Sequence, residues 1–277
     1  MQVQPALHKP VLVALQIAIA LLGLSLLSAQ SATVPGTTPG DFSVSSGGSA
    51  NYRIPIQIPP GVAGMEPRLN LIYDSQADNG SVGVGWSLSG LSSISRCAKV
   101  RVTDGESTTV NFTQSDRYCL NGQRLILVSG THGTAGAEYR TERESFSKIT
   151  AYGSAGNGPA YFIEKTKAGL TIEYGNTTDS RIEAQGKTTP RAWAQNKVSD
   201  TKGNYLTVSY TEDSANGSYY ANRIDYTGNA TSSPALSPAA SVQISYQSRP
   251  DSETAYQAGS MVKLTQRISN IKTYVGA

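Results

Sequence analysis

Between Met65 and Gly90 the chain alternates apolar and polar positions with little interruption. Leu69, Leu71 and Tyr73 alternate with Arg68, Asn70 and Ile72. After an Asp78-Asn79-Gly80 turn, Val82, Val84, Trp86 and Leu88 alternate with Gly83, Gly85, Ser87 and Ser89. A period of two predicts strands. Paired across the turn, Leu69, Leu71 and Tyr73 would cover Trp86. The opposite face of Val82–Leu88 carries only Gly and Ser, which lets another backbone or sheet approach closely. Gly83, Gly85 and Trp86 are therefore candidate close-packing positions in a wall. Upstream, Tyr52, Ile54, Ile56 and Ile58 share one face, with Asn51, Arg53, Pro55 and Gln57 on the other. Pro55 cannot donate a ladder hydrogen bond, which predicts an edge strand, and Pro59-Pro60-Gly61 ends it. No segment after the N-terminal apolar run keeps a helical apolar period for three turns. The predicted class is all-β, built of stacked hairpins in twisted sheets.

The second half carries an echo. Leu170-Thr171-Ile172-Glu173-Tyr174, Leu206-Thr207-Val208-Ser209-Tyr210 and Val242-Gln243-Ile244-Ser245-Tyr246 share the pattern apolar-x-apolar-x-Tyr, and their tyrosines fall 36 residues apart, twice. Leu69–Tyr73 is an earlier relative. A second element lies between them: Asn196–Asp200 before Gly203-Asn204, and Asn222–Tyr226 before Gly228-Asn229. A strand, a Gly-Asn turn and a Tyr-ended strand, repeated, describe stacked hairpins.

Composition narrows the class. Gly 27 and Tyr 15 beside Phe 4 suit a turn-rich β-protein. Lys+Arg 23 against Asp+Glu 20, without a basic run, gives no nucleic-acid footprint. At the N-terminus, His8 and Lys9 precede an uncharged apolar run, Val11–Leu27, and then the small residues Ser28, Ala29, Ser31 and Ala32. This reads as a secretory signal peptide over 1–32 and an exported protein. An uncleaved anchor is the alternative, the run sitting at the lower edge of the roughly 17–25 residues needed to span a bilayer. After cleavage no membrane span remains. Residues 33–48, rich in Pro, Gly, Ser and Thr, read as a linker. Cys97 and Cys119 are the only cysteines. In an exported chain an even count favours a disulfide over a metal site or nucleophile, against two buried free thiols.

Patterns that could carry chemistry are thin. Glu142-Arg143-Glu144 has the Glu-x-Glu spacing used by ADP-ribosyltransferases, without the surrounding Arg and Ser/Thr strand such a site needs. Gly85-Trp86-Ser87-Leu88-Ser89 lacks the second glycine of a nucleophile elbow. His132 lies in a Gly/Thr stretch that reads as a surface loop, with nothing tying it to a nucleophile. Gly83-x-Gly85 opens no helix, so it is not a phosphate cradle. Thr201-Lys202-Gly203-Asn204 lacks the acids of a calcium loop. No catalytic, cofactor or metal site is predicted.

The stretch "IPIQIPPGVAGMEPRLNLIYDSQADNGSVGVGWSLSGLSSISRC" closely resembles the start of the SpvB-type domain, named for the Salmonella plasmid virulence protein B. That domain also opens the B components of insecticidal Tc toxin complexes, ahead of their RHS/YD repeats. Asp116–Leu127 (DRYCLNGQRLIL) and Glu138–Glu142 (EYRTE) are similar to the same family. Lys165–Gly175 and Asn196–Tyr210 resemble the YD-type repeats. The resemblance implies an SpvB-like β-domain over 49–160 and YD/RHS-like hairpin repeats over 161–277, continuing beyond Ala277. It implies a non-catalytic shell and delivery module of a secreted toxin. Its partners would be other segments or subunits of a toxin complex, an RHS-repeat shell and a toxic C-terminal payload. A secreted adhesin or glycan-binding protein, with Tyr219 and Tyr220 as exposed platforms, is the alternative, and an ADP-ribosyltransferase a more distant one.

Overall fold

The structure, a computed structural model, describes residues 38–276. The segment read as a signal peptide, 1–32, and the opening residues of 33–48 lie outside that range. Most of the described chain is strand, and its α-helix is a single turn, Arg101–Asp104.

Eight strands close into a ring. β5 (Ser93–Cys97), β6 (Arg117–Leu120), β7 (Gln123–Ser129), β8 (Glu138–Thr141), β9 (Lys148–Tyr152), β10 (Tyr161–Lys165) and β11 (Thr171–Tyr174) pair in chain order. After the short β12 (Arg181–Glu183), β13 (Pro190–Ser199) pairs with β5 through Trp193↔Ile94 and with β11 through Val198↔Ile172. A ring of this size has an interior just wide enough for side chains to fill. Tyr118, Tyr139, Phe162, Tyr174, Trp193, Ile94 and Ile149 fill it, each at most 1% exposed. Closure leaves neither β5 nor β11 with a free edge, so the large aromatics are sealed within one core.

From β13 the sheet continues outward as a meander: β14 (Asn204–Asp213), β15 (Ser218–Asn229), β16 (Ala240–Ser248) and, after the small β17–β18 hairpin (Thr254–Gln257, Ser260–Lys263), β19 (Gln266–Val275). A separate four-stranded sheet runs in order β1 (Asp41–Val44), β2 (Ala50–Pro55), β3 (Asn70–Asp74), β4 (Trp86–Ser89). Met65, Leu69 and the half-buried Ile56, Ile58 and Leu88 pack on Val198, Leu206, Val208, Ile224 and Val242 of the meander, forming the second core.

Several expectations change. The segment read as a linker contains β1, which pairs with β2 from Asp41↔Arg53 to Val44↔Ala50. β2 is interior rather than an edge strand; Pro55 is tolerated because β1 stops at Asp41, so no strand stands opposite its missing N–H on that side. Val82–Leu88 is not one strand. Gly85 has φ +72, which turns the chain, and only Trp86–Ser89 continues as β4. Gly228-Asn229 is no turn either: both residues belong to β15 and pair with Tyr205 and Asn204. The ring also runs across residue 160 without a break, β9 pairing with β10.

Candidate functional site

Trp86 is half-buried. Its ring lies 5.3 Å from that of Tyr73, its cross-strand partner, and 6.5 Å from that of Tyr52. A Cβ added at Gly85 would lie 2.7 Å from the Tyr73 ring and 2.8 Å from the Asp74 carbonyl oxygen. Gly83 differs: a Cβ there meets nothing within 4 Å, because its segment leaves the sheet. The expectation of close packing at Gly83 is corrected accordingly. Cys97 and Cys119 form a disulfide with their Cα atoms 5.9 Å apart. It bridges β5 and β6 diagonally, since Cys97 stands opposite Arg117 and Cys119 opposite Ser95.

One end of the ring carries a buried polar cluster. The Arg96 side chain is wholly buried and donates to the carbonyls of Pro190, Thr113 and Asn157 and to the Asp116 carboxylate. Asp116 also accepts the Asn111 N–H. His132, expected on a surface loop, is half-buried and stacks on Tyr118 with ring centroids 5.0 Å apart. One of its nitrogens meets the Asp116 carbonyl at 2.7 Å and the other the Tyr139 hydroxyl at 3.3 Å. Burial lowers the His132 pKa and raises those of Tyr118 and Tyr139. The imidazole is thus neutral beside phenols that hold their protons, and it orients no nucleophile. Glu142, Arg143 and Glu144 stand exposed in the loop between β8 and β9. Among the described residues no three His, Cys, Asp or Glu side chains are grouped to hold a metal, and no helix is long and apolar enough to cross a membrane. A recess of about 650 Å³ beside Asn111, Phe112, Asn157 and Thr189 contains Glu183 and Lys187 but neither histidine nor cysteine.

The feature that repeats is built on the echoed tyrosines. Each faces an extra residue on the neighbouring strand, a β-bulge. Glu173 and Tyr174 pair with Lys197 and Gln195, skipping Asn196. Ser209 and Tyr210 pair with Arg223 and Ala221, skipping Asn222. Ser245 and Tyr246 pair with Asn270 and Ile268, skipping Ser269. A bulge increases local twist and re-aims backbone groups. Here the tyrosine of the next repeat meets the re-aimed carbonyl: the Tyr210 hydroxyl donates to Gln195 at 2.7 Å and the Tyr246 hydroxyl to Ala221 at 2.7 Å. Burial pushes both phenol pKa values upward, so both remain donors. The strand register is also the same at both places. Thr207 pairs with Lys197 and Gln243 with Arg223, so in each case the tyrosine is three residues beyond a residue paired just past the bulge. The asparagines that open the second element of the echo are the bulge residues, a meaning that alternation alone does not reveal. Tyr220, read as an exposed platform, is 7% exposed and packs against Tyr246, while Tyr219 is half-buried against Tyr210. The adhesin reading loses its platforms.

Residues 44–258 match the family model described as SpvB, Salmonella virulence plasmid 65kDa B protein. No curated protein matches the chain by sequence. Among solved structures, the N-terminal domain of the effector protein SpvB from Salmonella typhimurium strain LT2 is similar at TM-score 0.64 and 18% identity, covering 80% of this chain and 87% of that one. The crystal structure of TcdB2-TccC3 is similar at TM-score 0.68 and 15% identity over 86% of this chain. The Photorhabdus luminescens Tc holotoxin pore gives the same three values. This chain spans only 14% of the length of each of these two. At such identities the likeness is one of fold.

Proposed function

Since the chain belongs to the SpvB family, we propose that it is a non-catalytic wall module of an exported toxin-complex protein, forming part of the shell that encloses or carries a toxic payload. The observation that carries this reading is the recurrent register of β13–β14 and β15–β16, which adds strands by one rule without a convergent set of reactive groups. The sealed aromatic ring supports it, because a filled ring stiffens a wall and leaves no lumen for a substrate. Its partners are then the repeat-bearing segments or subunits of the same shell and the payload they surround. The test is co-expression of the chain from about Thr33 with a repeat-bearing partner that carries a protease-sensitive reporter in place of the payload. The chain should slow digestion of the reporter at least tenfold. Equal digestion with and without it would overturn the enclosure.

A further inference from the structure

Arg191 is the extra residue of a further bulge. Pro190 pairs with Glu183 and Ala192 with Ile182, so Arg191 has no partner residue on β12. Regular alternation would put it on the face of Trp193, inside the filled ring; the bulge turns it out of the ladder instead. Its guanidinium comes to rest over the ring of Tyr219 on β15, 5.8 Å from the centroid. There it is half-buried, with its Nε sealed from solvent and without a hydrogen-bond partner. Among the described residues no acceptor meets its two terminal nitrogens either, and the Tyr219 hydroxyl is likewise unpartnered. The acids beside it do not serve. Glu183 is taken by Arg181 at 3.3 Å. Glu212, opposite Tyr219, makes no ion pair with Arg191; burial and the charge of Glu183 raise its pKa and draw its carboxyl towards the neutral form. Burial also lowers the Arg191 pKa, against the pull of Tyr219 and Glu212. An arginine drawn this far out of water ordinarily has an anion against it.

We propose that Arg191, laid on Tyr219, is a binding site for a singly charged carboxylate, held end-on by the two terminal nitrogens of the guanidinium. Two parallel N–H donors match the two oxygens of a carboxylate, and stacking on the phenol holds the fork flat for that pairing. A phosphate fits the same fork, but Glu183 and Glu212 beside the site disfavour a second negative charge. The carboxylate belongs to a small organic acid or to a peptide, and the chemistry of recognition is the same for both. The wall reading does not require this site, so each stands or falls without the other.

The full chain with isotope-labelled arginine, titrated at neutral pH and constant ionic strength, tests it by the NMR signals of the arginine side chains. Sodium acetate should shift the Arg191 signal saturably, and sodium chloride should not. Tyr219→Leu should weaken acetate binding about two- to fivefold, the worth of an exposed cation–π contact. Arg191→Lys keeps the charge without the fork and should weaken it by about tenfold. A glycine peptide with a free terminal carboxylate, the same peptide amidated, and an amidated peptide with one central Glu then separate the sources. Tighter binding of one carboxylate-bearing peptide than of acetate assigns the site to a chain terminus or an acidic side chain, and binding of acetate alone assigns it to a small acid. The wild-type titration stands without any variant, should one fail to fold. Equal responses to acetate and chloride, tighter binding of phosphate than of acetate, or acetate binding that appears only in Glu212→Gln would each overturn the proposal; the last would show that Glu212 already neutralises Arg191.

Discussion

The hydroxyl of Tyr210 donates to the backbone carbonyl of Gln195 across a distance of 2.7 Å. That carbonyl is displaced from regular pairing by the Asn196 bulge, and it lies in a buried setting where water cannot replace a lost donor. Tyr210→Phe should therefore destabilise the chain by about 1–3 kcal/mol, the cost of an unsatisfied buried acceptor. Tyr246→Phe should cost less, because Tyr246 is only half-buried. Urea unfolding measured at constant m-value checks both. Equal, negligible changes would mean that the repeated bond is incidental to the sheet.

Gly85 and Gly83, two residues apart, should respond in opposite ways. A side chain at Gly85 must adopt a left-handed backbone and enter the space held by Tyr73 and Asp74, so Gly85→Val should cost roughly 1–3 kcal/mol or more. Gly83→Ala faces open space and should stay within about 0.5 kcal/mol. Thermal melts of the two variants side by side decide the matter.

What the chain reveals by pattern is local. The pairing of Tyr73 with Trp86 and the all-β class follow from alternation within short stretches, and the equivalence of Tyr174, Tyr210 and Tyr246 from the recurrence of one short pattern. Ring closure does not: Ile94 meets Trp193 far along the chain, and periodicity does not name a distant partner. Pro55 shows a second limit. Its missing N–H excludes a partner only along its own length, so an interior strand accepts it where its neighbour is short. His132 shows a third, since a Gly/Thr setting is silent about an aromatic ring folded over it from β6.

Asp104 should make stability fall in acid. Burial opposes its ionisation, but hydrogen bonds from Arg117 and the Val100 N–H and the charges of Arg117 and Arg124 outweigh that and hold its pKa at about 2, below the ordinary 3.8. A lowered folded-state value means that the stabilisation is complete above the unfolded value and disappears as the carboxylate protonates. The advantage of the wild type over Asp104→Asn should hold from pH 7 to about 4 and shrink between about pH 4 and 2. Denaturant midpoints across that range test it; a constant gap would place the effect in packing.

The Cys97–Cys119 bridge spans a sequence separation of 22. In the chain-entropy model a loop of this length stabilises by about 3 kcal/mol. The bridge ties two strands already paired in the ring, so the double variant Cys97→Ala/Cys119→Ala should keep its near-ultraviolet circular dichroism while its unfolding midpoint drops. Loss of the native spectrum in a double variant that stays monomeric would show instead that the bridge is needed to close the ring.

Arg96 is expected to be the most sensitive single position at the end of the ring. Its guanidinium serves three carbonyls and the Asp116 carboxylate, and it lies 5.7 Å from the centroids of both the Tyr118 and Trp193 rings. Removing it leaves a buried carboxylate without its cation, a loss of about 3–5 kcal/mol. Lysine keeps the charge but offers a single donor centre where the acceptors need a planar fork, so Arg96→Lys should recover only part of that loss. Replacing both partners, as in Arg96→Met/Asp116→Leu, removes the stranded charge but still orphans the three carbonyls and the Asn111 N–H. The double variant should therefore be more stable than Arg96→Met alone and less stable than the wild type. A double-mutant cycle by urea unfolding measures this order directly. If the double variant proves no better than Arg96→Met, the carbonyl contacts rather than the ion pair hold this end of the ring together.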